Sequence, residues 1–269
     1  MSKKAEQFPS FPQALLLLLA LFLLEYVLGA AFFDVRRLLD LSPAERYVFT
    51  VLTANAIAFT ALMHLKKQSY ANLFHRSRSS IGATLLLLLP PILLLIPALT
   101  LLLQEIMHFL IRLFPLSRAD QQAFEGTFNG NVPAMFAVCI LAPVLEEMLF
   151  RGIILRAFLL QYSPVKAIIL SALLFGLAHL NIYQFVVASL IGLLAGWLYE
   201  RTHSLIPCIA LHTFYNTCIT VFGPSITRDS VQVSTETPAL YWTLAALAAL
   251  LGSRMLLGIL HPAVQTVRE

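Results

Sequence analysis

Charge is what this chain of 269 residues has least of. Only 12% of its residues are Asp, Glu, Lys or Arg, while 59% are hydrophobic. A soluble domain carries about twice that charged fraction. With a mean hydropathy of +0.81, this excludes an ordinary soluble globule and points to an integral membrane protein. Its spans must be helices of about 20 apolar residues, because in lipid the backbone has to satisfy its own polar groups. Cysteine is also sparse. Cys139, Cys208 and Cys218 all fall in apolar runs, with no CxxC pair, so they read as buried thiols rather than a disulfide framework. No basic run with interleaved aromatics occurs, which argues against a nucleic-acid partner. Several hydrolase signatures are missing too. There is no HExxH for a zinc helix, no Gly-Asp pair of the aspartyl membrane type, and no GxSxG setting for a serine nucleophile.

What is present is a series of eight apolar segments, at about 13–33, 46–65, 80–103, 132–159, 164–181, 183–200, 205–223 and 238–260. They predict an all-α, multi-pass helical bundle forming a single membrane domain over 1–269. The first segment is too long for a signal-peptide core and is read as a transmembrane helix. Residues 104–131 begin with an amphipathic piece, read as an interfacial helix, and then turn polar. Lys and Arg outside the spans favour the side of both termini, which predicts a cytoplasmic N- and C-terminus. Lipid is the partner that such a bundle implies.

Three segments carry polar groups that such a fold could have avoided. The fourth contains LEEMLFRG, with Glu146, Glu147 and Arg151. Glu147 and Arg151 are four apart with the acid first, the favourable order for an ion pair along one helix face. Glu146 lies about 100° round the helix and has no partner in its own span. An ionisable group inside a membrane is a functional-site candidate by default. The fifth segment contains Phe175 and His179, again four apart, so the ring walls one side of the imidazole. Counting from a turn near Tyr162, Glu146 and His179 reach similar depth in an antiparallel hairpin, which predicts that they are neighbours. The seventh contains His212 and Asn216 on one face. Glu25 reads as a lone carboxylate in the first span, and Gly192-x-x-x-Gly196 as a helix-packing stripe.

Such groups form a recognisable chemical set. A glutamate takes a proton from water, a histidine orients that water or binds a metal, and a histidine with an asparagine donates hydrogen bonds to a developing oxyanion. Glu146, His179 and His212 are equally possible ligands for a divalent metal such as zinc. Whether a metal cofactor is used stays open at this point.

In order and spacing, Glu146-Glu147-x-x-x-Arg151, Phe175-x-x-x-His179 and His212-x-x-x-Asn216 resemble the CPBP family, the CAAX-processing and bacteriocin-processing membrane proteases. The resemblance covers about residues 130–222. It implies a helical membrane bundle with an intramembrane catalytic cavity, set in the plasma (inner) membrane of a prokaryote, and the activity of an intramembrane endopeptidase on a peptide or protein substrate. It further implies that Glu146 is the base acting on water and that His179 orients the water or ligates a metal. By the same likeness His212 and Asn216 stabilise the oxyanion, or His212 completes a metal site, and Glu147, Arg151 and Phe175 give support. The rival readings are a proton-coupled transporter using a Glu–His relay and a catalytically silent immunity or scaffold protein. The absence of inverted repeats speaks against the first. The full set of costly polar groups speaks against the second.

Overall fold

The structure is a computed structural model that describes residues 7–118, 120–121, 132–222 and 237–260. The chain is an integral membrane protein built as a multi-pass helical bundle, and every apolar segment of the sequence becomes a helix. In chain order these are α1 (Phe11–Asp34), the short α2 (Arg36–Leu39), α3 (Pro43–Lys66), the short α4 (Tyr70–Phe74), α5 (Ile81–Leu113), α6 (Val132–Phe158), α7 (Pro164–Leu177), α8 (Ile182–Thr202), α9 (Ile206–Phe222) and α10 (Ala239–Leu260). Six of them are long and apolar enough to cross a membrane, and α7 and α9 are apolar but shorter. Serine starts several: Ser42 accepts the N–H of Glu45, Ser69 that of Asn72 and Ser80 that of Ala83. Each thereby satisfies a backbone donor the first turn leaves orphaned.

Two boundaries differ from the sequence reading. No separate interfacial helix begins at 104, because α5 runs on through 113 as one helix of 33 residues. Its length of about 50 Å exceeds the roughly 30 Å of a hydrocarbon core. The amphipathic stretch changed hydropathy without interrupting helicity. Residues 122–131 of the expected loop lie outside the described residues. The fifth segment, in turn, stops short of 181. Its helix ends at Leu177, and Leu180 adopts a left-handed φ of 57°. His179 therefore sits in a turn. Hydropathy does not show the break, because the turn residues Ala178 and Leu180 are themselves apolar.

The helix α6 is not uniform. It is π-helical over Ala137–Leu141 and again over Met148–Leu155, with an α-helical stretch Ala142–Glu147 between them. Such wide turns recur at functional sites, and here they bracket the two glutamates. The side chains of the second π segment are all buried. Around it α4, α7 and α8 assemble and α9 packs on the first half of α6, while α5 lies along α9 and α10, and α1 pairs with α3. Of the three thiols, Cys139 and Cys208 are buried, but Cys218 is only half-buried.

Several ties gather one end of the bundle. Gln161 Nε2 donates to the carbonyls of Gln7 and Pro9, and Lys66 reaches Phe8 O. Leu205 N–H donates to Phe74 O at 2.8 Å and Arg76 N–H to His203 O at 2.9 Å. His75 lies between them, with Nδ1 2.9 Å from Ser204 Oγ.

Candidate active site

Glu147 and Arg151 form the ion pair their spacing predicts, Nη1 to Oε1 at 2.8 Å, with both side chains 0% exposed. The pair is not self-contained. Arg151 Nη2 also donates to the carbonyl of Gly192 on α8 at 3.1 Å, and its guanidinium lies over the Phe175 ring at 4.6 Å. Gly192 has no side chain to obstruct that approach. A Cβ there would fall 3.2 Å from Arg151 Nη2 and 3.1 Å from the Ala172 backbone. The small-residue stripe thus places a carbonyl as well as a helix.

The same Glu147 oxygen lies 3.0 Å from His212 Nδ1. Because an ionised carboxylate only accepts, His212 carries its proton on Nδ1. Its Nε2 then faces Glu146 Oε2 at 3.8 Å. So His212, 4% exposed, stands between the two adjacent glutamates. The sequence assigned Glu147 to Arg151 alone and paired Glu146 with His179. In the structure the charged partner of Glu146 is His212, brought in from α9, which packs directly on the first half of α6. Hairpin counting sees only consecutive helices and could not show this.

His179 Nδ1 is 3.0 Å from Phe175 O. A carbonyl accepts, so Nδ1 is protonated and Nε2 keeps its lone pair. The turn that holds it is fixed by Asn181, which caps α8 through Gln184 N–H and donates Nδ2 to His179 O at 3.0 Å. Phe175 meets His179 and His212 edge-on, at 5.2 and 5.5 Å between ring centroids, so one ring spaces both imidazoles. Asn216 donates Nδ2 to Val138 O at 2.9 Å, in the first π segment. Its second N–H and its Oδ1 make no further bond among the described residues.

Glu146, His179, His212 and Asn216 all line one cavity of about 430 Å³. Glu147 and Arg151 lie behind its wall. Across from them the cavity takes Glu25, Tyr47 and Asn55 from α1 and α3, which the sequence reading left without a role. A lone polar residue has no periodicity to betray it. Only the packing of α1 and α3 shows where Glu25 faces. Among the described residues no three His, Cys, Asp or Glu side chains are gathered closely enough to hold a metal ion. As arranged, Glu146, His179 and His212 do not form a three-ligand site.

Gly176, one turn before His179, permits the contact of α7 with α8. A Cβ there would lie 2.2 Å from Ser189 Oγ and 2.5 Å from Phe185 O. Backbone cannot yield as a flexible side chain does, so Gly176→Ala forces the helices apart. The expected cost is about 1–3 kcal/mol, seen as a lower melting temperature in detergent. An unchanged melting temperature would show that the contact relaxes freely.

Residues 128–218 match the family model described as "Type II CAAX prenyl endopeptidase Rce1-like". A curated protein of Bacillus subtilis (strain 168), named "Putative membrane peptidase YdiL", is 31% identical over 102 residues, which are 38% of this chain and 42% of that protein. The likeness therefore spans less than half the length of that relative. No solved structure matches.

Proposed function

We propose that this chain, whose residues 128–218 match the Rce1-like model, is a CPBP-type intramembrane endopeptidase that hydrolyses a peptide bond with glutamate-activated water. The observation that carries the reading is the single cavity lined by Glu146, His179, His212 and Asn216, within the matched segment.

Each residue has a part that follows from its contacts. Glu146, half-exposed to the cavity, takes a proton from water as the water oxygen attacks the substrate carbonyl carbon. His179, with Nδ1–H held by Phe175 O, accepts a hydrogen bond from that water at Nε2 and so orients it. The carbonyl oxygen becomes an oxyanion. His212 donates to it from Nε2 when protonated, and Glu147 at its Nδ1 stabilises the imidazolium. Asn216 offers its remaining N–H. Collapse of the tetrahedral intermediate breaks the C–N bond, and the proton held by Glu146 passes to the leaving amine. Substrate would reach the cavity as a peptide or as a membrane-associated protein segment.

The test is reconstitution of the purified chain into liposomes with a peptide mixture, and mass spectrometry for new termini. His179→Ala is expected to lower kcat about 10²-fold with little change in KM, as for loss of a group that acts in the transition state. A wild-type protein that generates no new termini would sink the reading.

A further inference from the structure

The cavity wall opposite Glu146 is built by helices that precede the matched segment, and its polar groups are unused by the mechanism. Asn55, buried on α3, donates Nδ2 to Glu25 Oε1 at 3.3 Å and to Val51 O at 2.9 Å. Glu25 makes no other hydrogen bond and no ion pair among the described residues. Its neighbours on the cavity surface include Leu18, Phe22 and Val51. A carboxylate within a membrane helix is costly to insert, and one long amide contact leaves its charge uncompensated. No Lys or Arg lines the cavity among the described residues. Glu25, Tyr47 and Glu146 all face this one cavity.

A second feature of the cavity is independent of these carboxylates. Tyr215 lines it, is only 5% exposed, and has no hydrogen-bond partner among the described residues. Buried phenols ordinarily find a partner. One left open toward a cavity is placed to receive a polar group from outside the chain.

We propose that Glu25, held by Asn55 and flanked by Tyr47, is a specificity subsite that takes a cationic side chain, lysine or arginine, of the substrate peptide. The proposal rests on the endopeptidase reading and deepens it. A cation here neutralises Glu25 and relieves its repulsion with Glu146. It also lies beside the Tyr47 ring, whose face attracts cations. The two walls then divide their tasks: α6, α7 and α9 carry the hydrolytic groups, and α1 and α3 choose the residue beside the scissile bond.

The experiment uses the reconstituted full chain and pairs of otherwise identical peptides with lysine or norleucine at each position in turn. At one position lysine is expected to raise kcat/KM about tenfold or more, the scale of a desolvated charge pair. Glu25→Gln, nearly isosteric, brings that ratio to about one. Glu25→Lys shifts the preference to a glutamate-bearing peptide. Equal cleavage of both peptides by the wild type at every position overturns the subsite. So does an equal loss on both in Glu25→Gln, which marks a structural role. If the wild type cleaves neither peptide, the endopeptidase reading falls. The subsite is then judged by fluorescence anisotropy of the labelled peptides, where equal affinity for lysine and norleucine overturns it.

Discussion

Glu146→Gln is expected to reduce peptide cleavage by about 10²–10⁴-fold, the usual contribution of a general base, while the protein melts close to the wild-type temperature. The two parts of this expectation come from different observations. The side chain is 31% exposed and its one ion-pair contact among the described residues is His212 Nε2 at 3.8 Å, so little stabilising interaction is lost when an amide replaces the acid. The amide cannot accept the water proton, so the chemistry is lost. Initial rates in liposomes and thermal unfolding in detergent, measured on the same preparation, check both parts. A variant with more than a tenth of the wild-type rate would remove Glu146 from the role of base.

Arg151→Met reverses that pattern, with a large loss of stability expected before any question of rate. The guanidinium is 0% exposed and so is its partner. Removing it strands the Glu147 carboxylate, whose Oε2 already lacks a partner in the described structure. Breaking a buried pair from one side costs about 3–5 kcal/mol. The double variant Glu147→Leu with Arg151→Met removes both charges and is expected to recover most of the melting temperature, because apolar replacements of similar volume often match a buried ion pair. It is not expected to recover cleavage, since His212 Nδ1 then has no carboxylate to fix its tautomer. A double variant as unstable as Arg151→Met would contradict the ion-pair account. One with full activity would contradict the positioning of His212 by Glu147.

These two variants mark what spacing could and could not tell. Hydropathy located the eight long helices but not the short α2 and α4, because burial in lipid demands long apolar runs whatever their packing. The i, i+4 rule found the Glu147–Arg151 pair and the Phe175–His179 contact, which are local. It missed the bond from Glu147 to His212. A carboxylate has two oxygens and room for several donors, so a satisfied local pairing does not exclude a partner 65 residues away. Glu25 was illegible for a related reason: its significance lies in what it faces, and a lone charge in α1 carries no record of that. The end of α7 at Leu177 was hidden because no glycine occupies the left-handed position that closes the turn; Leu180 takes it instead.

The main-chain bonds from Leu205 to Phe74 and from Arg76 to His203 bear on how far such a protein can drift. They join residues ahead of the matched segment to the turn between α8 and α9, inside it. Neither bond uses a side chain. The bonds themselves ask of 76 and 205 only that they not be proline, and of 74 and 203 only a carbonyl. The side chains there are constrained for other reasons, since Leu205 is fully buried and His203 takes a left-handed φ of 50°. Because the attachment of the first helices to the hydrolytic half runs through the backbone, recognisable similarity can stop at residue 128 while the mechanical connection continues well before it.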